Sequence, residues 1–175
     1  MKTLTTGILI VSLLMAAGCT KQESPAPRVS LHAAAVQGNI DVIQQHIKAG
    51  SDLNKKDAYG STPLIIAITF DKTDVARALV EAGADMSVTN NEGATPLHIA
   101  AFFCRSEIVQ ALLDEGADKN IKNSTGKTAL ETVAGPFDDV KGIYDAIGKG
   151  LAPLGLNFDY ERIKKTRPKI AEMLQ

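Results

Sequence analysis

Apolar residues recur along the chain in short groups that follow two alternating patterns. The first is a compact run with small residues among larger apolar ones, as in LIIAITF at 64–70 and LHIAAFF at 97–103. The second has apolar residues four apart with polar residues between them, as in Val75 and Leu79. Such spacing places side chains on one face of a helix. The chain therefore predicts pairs of short helices, and alanine at the centre of each first helix allows its neighbours to approach closely.

The two patterns repeat with one fixed period, which is the interval from Leu31 to Leu64. Four kinds of position keep this period in phase, and each recurs three or four times. They are Leu31, Leu64, Leu97 and Leu130; Gly50, Gly83 and Gly116; Asp52, Asp85 and Asp118; and Gly60, Gly93 and Gly126. A period of this length indicates an architecture of stacked repeats.

Each predicted helix pair has its own start and stop signals. Thr-Pro pairs at 62–63 and 95–96 provide an N-cap hydroxyl and a proline at the first helical position, where a missing N–H costs nothing. Ser30 is the expected substitute cap in the first repeat. The glycine row that begins at Gly50 ends the second helices in the left-handed conformation. The Asn- and Gly-containing stretches that follow predict projecting turns.

These motifs resemble ankyrin repeats. DAYGSTPLIIA and NEGATPLHIA, each followed by a second helix and by EAGAD or DEGAD, are typical of that family. The resemblance implies an all-α ankyrin-repeat solenoid of four helix-turn-helix repeats, in which each repeat contacts only its neighbours. The ankyrin-repeat domain spans residues 29–175, with repeats at about 29–56, 57–89, 90–122 and 123–175.

The fourth repeat departs from the pattern. It begins with TGKTALETVA and breaks at Gly135 and Pro136, and a typical second helix reappears only in RPKIAEMLQ, from Arg167 to Gln175. Residues 135–166 are therefore predicted to be an insertion with two helical pieces, DDVKGIYDAIGKGL and DYERIKKT. A long insertion in a compact domain is often functional.

The N-terminal residues predict export. A positive Lys2, an apolar run from residue 7 to 15 and small residues after it form the layout of a secretory signal peptide at 1–18. The following Gly-Cys resembles a bacterial lipobox, which implies a lipid on Cys19 and a flexible tether at 19–28. Thr20, in place of aspartate, implies by the same resemblance an outer-membrane anchor facing the periplasm. The alternative is an ordinary signal peptide that happens to contain a cysteine.

No active site, metal centre or cofactor site is predicted, and the chain is not expected to be an enzyme. The net charge is −1 without a long basic block, which argues against a nucleic-acid partner. By resemblance, His98 and its equivalent His32 tie one turn to the next, while His46 is expected to be a half-exposed residue of the terminal repeat. STGKT at 124–128 lacks the first glycine of a phosphate-binding loop. Cys104 is expected to be a small apolar filler, with pairing to a partner or to a second copy of the chain as the alternative.

The aromatic residues of the repeats predict a binding surface. The end of the first helix lines the concave face in ankyrin proteins, and the turn tips project beside it. Because the Leu, Ile and Ala rows already fill the core, the aromatic rings are expected to be exposed as interface hot spots. These rings are Tyr59, Phe70, Phe102 and Phe103. The alternative is that one ring, most readily Phe102, folds back between repeats.

Polar residues at the turn tips and the insertion complete the predicted surface. The tip residues are Lys55, Lys56, Asn91, Glu92, Lys122 and Ser124. The insertion is expected to supply one wall of the groove or a second contact through Phe137, Tyr144 and Phe158.

Three functions follow from this pattern. The first is an immunity-type protein that binds and neutralises a toxin such as a phospholipase, and the second supports a periplasmic enzyme such as a catalase. Both come from a resemblance to small exported ankyrin lipoproteins. The third is a hydrolase or wall-binding lipoprotein with its site in the insertion, whose carboxylates are more simply explained as a solvated helix surface. These carboxylates are Asp138, Asp139, Asp145, Asp159 and Glu161.

Overall fold

The structure is a computed structural model that describes residues 26–175. Within this range the chain is helical and has no strand. The helices are α1 (Leu31–Gln37), α2 (Ile40–Lys48), α3 (Pro63–Thr69), α4 (Thr73–Glu81), α5 (Pro96–Phe102), α6 (Ser106–Asp114), α7 (Ala129–Val133), α8 (Phe137–Leu151) and α9 (Tyr160–Leu174), with a 3₁₀ turn at Ala152–Leu154. The predicted signal peptide, Cys19 and most of the predicted tether lie outside the described residues.

The helices stack in two rows, which confirms the predicted all-α solenoid of helix pairs. Helices α1, α3, α5 and α7 pack in sequence as an inner row, and α2, α4, α6 and α9 pack as an outer row. Each inner helix also packs on the outer helix of its own repeat. No helix in residues 26–175 combines the length and the apolar character needed to cross a membrane.

The inner helices begin at the hydroxyl caps that the sequence predicts. Thr62 and Thr95 accept hydrogen bonds from the backbone N–H groups three residues later, and Ser30 does the same in the first repeat. Pro63 and Pro96 are the first residues of α3 and α5. These caps satisfy N–H groups that no residue inside the helix can reach.

Small residues fill the space between the inner helices. Ala34, Ala67 and Ala100, one in each of the first three repeats, have no exposed surface. Their small side chains let neighbouring inner helices approach closely, as the sequence predicts. Larger residues at equivalent positions of the outer row, such as Leu79 and Leu112, are also fully buried. Apolar burial between repeats is the main source of stability in such a stack.

The turn between the two helices of a repeat needs a left-handed residue. Gly38, Asp71 and Cys104 occupy the same position of three successive repeats and have φ angles of 73°, 56° and 55°. In the second repeat, the left-handed residue has a further role. The Asp71 carboxylate accepts a hydrogen bond of 2.7 Å from Arg105 Nη1. Arg105 Nη2 donates to the Thr69 carbonyl oxygen at 3.1 Å. This buried arginine therefore joins the third repeat to the second.

The final helix differs from its prediction. Helix α9 begins at Tyr160 and runs without a break to Leu174, so the predicted boundary at residue 166 falls inside it. The helix starts where the Asp159 side chain accepts a hydrogen bond from the Arg162 N–H. Its buried residues continue at helical spacing on both sides of Pro168, whose ring faces solvent. Because that face is exposed, water can satisfy the carbonyl that proline leaves unpaired.

Candidate functional site

A groove of about 790 Å³ lies between the inner helices and α8. We call it the groove throughout. Three parts of the molecule line it: the concave side of the inner helices, the turn tips at 52–61, 85–94 and 118–127, and one face of α8. The inner helices and α8 present mainly apolar side chains to the space between them, and the turn tips present mainly polar ones.

The floor of the groove is apolar and follows the repeat period. Val36, Thr69 and Phe102 are equivalent residues of three successive inner helices, and all three line the groove. Ile66 and Ile99 form a second row beside them. The sequence periodicity therefore produces a continuous apolar surface, because equivalent residues of stacked repeats face the same side.

The turn-tip wall is polar and built by one recurring turn. Asp57 Oδ1 accepts hydrogen bonds from the N–H groups of Tyr59 and Ser61, at 2.9 and 2.8 Å. Asn90 and Asn123, at the same position of the next two repeats, accept the equivalent pairs in their own tips. Side chains that bond their own backbone in this way favour tight turns. The aligned Asp and Asn positions were the sequence signal for this wall, but the sequence-based prediction did not include them.

Histidines join two of the inner helices, α1 and α5, to the next tip, as predicted. His98 Nε2 donates to the Lys127 carbonyl oxygen at 2.9 Å, and its Nδ1 lies 2.8 Å from Thr95 Oγ1. His32 Nε2 makes the equivalent bond to the Lys55 carbonyl oxygen at 2.8 Å. Burial lowers the pKa of His98, although the Lys127 carbonyl opposes this shift. The histidine is therefore a structural crosslink between neighbouring repeats.

Helix α8 supplies the third wall through an apolar stripe. The stripe continues into the 3₁₀ turn and consists of Val140, Ile143, Ile147, Leu151 and Leu154. These residues recur at intervals of three and four, so they share one face of the helix. Ile143 is 50% exposed and Leu154 is 56% exposed. The predicted contribution of the insertion to the groove is thus made by aliphatic residues, whereas the sequence-based prediction named aromatic ones.

Tyr144 holds α8 against the repeats. Its side chain is fully buried, and its ring stacks on the Phe102 ring with centroids 4.4 Å apart and planes 9° apart. The Tyr144 hydroxyl donates to the Phe102 carbonyl oxygen. Burial raises the pKa of Tyr144 to about 12, so the hydroxyl keeps its proton at neutral pH. The prediction that Tyr144 forms a wall of the groove is therefore wrong, because packing against Phe102 uses its ring.

Arg167 joins the three C-terminal helices. Its Nη2 donates to the carbonyl oxygens of Thr132 and Gly135, at 3.3 and 3.1 Å, where α7 ends. Its Nη1 lies 3.4 Å from the Tyr144 hydroxyl. A cation at the C-terminal end of a helix is favourable because unpaired carbonyl oxygens concentrate negative charge there. Arg167 is 3% exposed, so it replaces the water that would otherwise cap α7.

The four predicted aromatic residues differ in how far their side chains are exposed. Tyr59 is 80% exposed at a turn tip and lines the groove, and the half-buried rings of Phe70 and Phe102 line its floor. Phe103 also borders the groove but is only 4% exposed, and its ring stacks on that of Phe158 with centroids 5.5 Å apart. The prediction that the Phe103 ring is exposed is wrong, because the segment before α9 covers it. Phe102 is covered by Tyr144 rather than folded between repeats.

The insertion aromatics form a cluster beside the groove. Phe137 packs against Tyr144 and Tyr160, with centroids 5.7 and 5.9 Å away. Phe158 packs edge-on against Tyr144 as well as on Phe103. Neither Phe137 nor Phe158 lines the groove. Their predicted place in its wall is wrong, because Phe137 packs between α8 and α9 and Phe158 packs on the third repeat.

The six predicted polar tip residues are all exposed. Glu92 lines the groove, and its carbonyl oxygen accepts a hydrogen bond of 3.0 Å from the Ser124 N–H of the next tip. Asn91 and Ser124 stand directly against Gly60 and Gly93, where an added Cβ would collide with them. A binding role for these residues stays a prediction. The remaining three are Lys55, Lys56 and Lys122.

Cys104 and His46 have structural surroundings. Cys104 is 1% exposed, and burial raises the pKa of its thiol to about 11 despite the nearby arginines, which agrees with an apolar filler. His46 is 6% exposed, which makes the prediction of a half-exposed residue wrong. Its Nε2 donates to the Val29 carbonyl oxygen at 2.8 Å, and its Nδ1 lies 2.9 Å from Ser51 Oγ. These bonds keep the chain before α1 against the outer helix.

The insertion carboxylates do not converge. Asp138, Asp139 and Glu161 are exposed, and Asp159 caps α9. Asp145 accepts hydrogen bonds from Lys141 and from the Tyr160 hydroxyl, and the Lys141 bond is the main reason that its pKa is lowered. In the part of the chain that the structure describes, no three His, Cys, Asp or Glu side chains are grouped to hold a metal ion.

Comparison with known proteins agrees with this geometry. A family model described as ankyrin repeats, in three copies, matches residues 31–123. The match covers just over half of the 175 residues and ends before α7. No curated protein matches the chain significantly.

Proposed function

The chain belongs to the ankyrin-repeat family, and on that premise we propose that its groove binds a segment of another protein. Ankyrin repeats form protein–protein interaction modules. Stacked repeats present an extended concave surface, and the groove occupies that surface here.

One observation carries this proposal: exposed large apolar side chains are concentrated at the groove. Among residues 26–175, four large hydrophobic residues are strongly exposed, and Tyr59, Ile143 and Leu154 all line the groove. The fourth, Val29, does not. Apolar surface that is left in water and gathered in one concavity is typical of a binding site.

The rigidity of the turn-tip wall supports tight binding. The recurring turns hold the tips by hydrogen bonds to their own backbone, and histidines fix the first and third tips to inner helices. A surface that is already ordered loses little conformational entropy when a partner binds.

We further propose that Cys19 carries a lipid anchor and that the module faces the periplasm of a bacterial envelope. The apolar run before Gly18 and Cys19 supports this proposal, together with the polar stretch after them. Our preferred role is immunity, in which the groove blocks a toxin such as a phospholipase. A compact binder anchored where a membrane-attacking toxin acts supports this role. An accessory to a periplasmic enzyme such as a catalase is the other outcome of the test.

A pair of groove substitutions tests the binding site. Ile143→Glu and Leu154→Glu, combined in one chain, add charge to the α8 stripe without touching a buried side chain. We expect pull-down from membranes, followed by mass spectrometry, to lose the protein partner that the wild-type chain retains. Val29→Glu is the control because it makes one such aliphatic-to-Glu change at an exposed residue outside the groove. Retention of the partner by the double variant, or its loss in the control as well, contradicts the proposal.

The identity and toxicity of the captured partner then test the role. For an immunity protein, expression of the partner in the periplasm is toxic, and co-expression of the wild-type chain restores growth. The double variant of the α8 stripe does not restore growth. A partner that is harmless in this assay and acts in stress defence favours the accessory role.

The anchor is tested separately by Cys19→Ser. We expect the variant chain to appear in the soluble periplasmic fraction while it still captures the partner in solution. Continued retention in membranes contradicts a lipid on Cys19.

A further inference from the structure

The backbone of the groove offers an incoming chain few hydrogen bonds. The described part of the molecule has no strand whose edge could pair with an extended peptide. Inside α3, α5 and α8, beyond their first and last turns, backbone N–H and C=O groups bond to one another. At the turn tips, the N–H groups of Tyr59, Ser61, Glu92 and Ala94 already donate to Asp57 or Asn90.

An extended segment in this groove would therefore bury its own backbone without partners. Each buried N–H or C=O group without a hydrogen bond costs about 1–3 kcal/mol. A helical segment avoids this cost because its N–H and C=O groups bond to one another. The apolar floor and the exposed apolar stripe of α8 thus favour a bound helix over a bound strand.

The groove has apolar surface on two sides. Val36, Ile66 and Ile99 of the floor lie on one side, and Ile143 and Ile147 of α8 lie on the other. A helix between them must present apolar residues to both, so it needs a stripe broader than that of a helix lying on one flat surface. Its polar face is directed to the opening of the groove.

Charges on the turn-tip wall favour one N-to-C orientation of a helix bound in the groove. The charged residues that line the groove are Asp57 in the first tip, Glu92 in the second and Lys127 in the third. Their signs therefore change from negative to positive between the second repeat and the fourth. A helix carries partial positive charge at its N-terminus and partial negative charge at its C-terminus. It is complementary to this wall when its N-terminus lies beside Asp57 and Glu92.

From these observations we propose that the groove binds an amphipathic α-helix of its protein partner, with the helix N-terminus at the first two tips and the C-terminus at the third. The proposal rests on the proposed function and specifies the partner for the same site. The occupant has a broad apolar stripe, basic residues toward its N-terminus and acidic residues toward its C-terminus. Helix α8 packs along it as one side of a small helix bundle.

Two synthetic peptides of identical composition test whether the groove binds a helix rather than an extended segment. Both consist of leucine and lysine, carry a fluorescent label and are long enough for about four helical turns. One has leucines at helical spacing and the other has leucines at alternate positions, which favours a strand. Titrated with the Cys19→Ser chain, the helical peptide is expected to bind at least about tenfold more tightly, because an extended peptide leaves buried backbone groups unpaired. Ile143→Glu removes the binding, and Val29→Glu does not.

Each other result overturns the proposal in a distinct way. Equal or tighter binding of the alternating peptide that is still lost with Ile143→Glu rejects the helix but leaves the groove as a binding site. Binding that persists in the Ile143→Glu chain shows that the peptides use another surface. Absence of binding by both peptides rejects the helical occupant, while the membrane pull-down decides independently whether the groove binds a partner.

The direction of the helix is tested by charge order. Two further helical peptides share the same leucine positions, one with lysines in its first half and glutamates in its second, the other reversed. The first is expected to bind more tightly, and substitution of Glu92 by lysine is expected to reduce the difference. Equal affinities for both orders contradict the proposed direction.

Discussion

Helices α8 and α9 are neighbours of equal length, yet they relate to the repeats in opposite ways. Both have 15 residues. Helix α9 buries Ile163, Arg167, Ile170 and Leu174, whereas α8 buries Tyr144 alone. The difference follows from position: α9 packs on α6 and α7 as the last outer helix, and α8 has no equivalent in the earlier repeats.

This comparison separates two uses of an apolar stripe. The stripe of α9 is covered by the repeats and contributes to folding. The stripe of α8 faces the groove, where Ile143 remains half exposed. Removal of apolar surface from water contributes about 25 cal/mol per Å². In α8 that free energy remains available to a binding partner.

The largest effect is expected from a matched pair of isoleucine substitutions. Ile170 in α9 is fully buried, so Ile170→Ala is expected to lower the free energy of unfolding by about 2–5 kcal/mol through lost contacts and a cavity. Ile143→Ala in α8 makes the same chemical change at a half-exposed site and is expected to cost about 0.5 kcal/mol or less.

Urea unfolding followed by far-ultraviolet circular dichroism measures both isoleucine variants. A similar loss of stability in the two would show that α8 is as firmly packed as α9. In that case, the stripe of α8 belongs to the core and the groove is not its function.

A smaller effect is expected where α8 is fastened. Tyr144→Phe keeps the ring that stacks on Phe102 and removes the hydroxyl that donates to the Phe102 carbonyl oxygen. The loss of one such hydrogen bond is expected to cost about 1 kcal/mol. Hydrogen exchange should become faster in α8 than in α9, since the bond to Phe102 holds α8, whereas α9 keeps the bonds from Arg167 to the Thr132 and Gly135 carbonyl oxygens. Tyr59→Phe is the control because Tyr59 is 80% exposed at a turn tip, and equal effects on exchange in both helices would contradict this role of Tyr144.

The repeats could be predicted from sequence because each feature there has a local cause. Hydroxyl caps, first-turn prolines and left-handed glycines act within a few residues, and the repeat period places them in phase. The histidine crosslinks were predicted from the family resemblance, since His98 and His32 occupy one repeat position. Stacking then follows from the period without knowledge of any distant contact.

The candidate site was predicted only in part because its third wall depends on distant contacts. Phe103 was expected to be exposed because of its repeat position, but Phe158, far along the chain in the insertion, covers it. Nothing in the repeat pattern says where an insertion packs. The stripe of α8 was visible in the sequence from Val140 to Leu154. Its spacing fits a core-facing helix equally well, so the sequence alone could not assign it to a groove.

The smallest effect is expected from the polar contact between α8 and α9. Asp145 accepts hydrogen bonds from Lys141 at 2.8 Å and from the Tyr160 hydroxyl at 2.6 Å, and its pKa is lowered chiefly by the Lys141 bond. A carboxyl group whose pKa is lower in the folded state contributes stability above its unfolded pKa of about 3.9. That contribution is lost as the pH falls through the folded value. Asp145→Asn should therefore lower the thermal midpoint slightly at pH 7, and the difference from the wild type should vanish in strong acid.

Glu172→Gln, at an exposed position of α9, is the control and is expected to show no such dependence. A difference between Asp145→Asn and the wild type that persists in acid would mean that the substitution perturbs packing rather than this contact, and that α8 is held more tightly than its exposed stripe suggests.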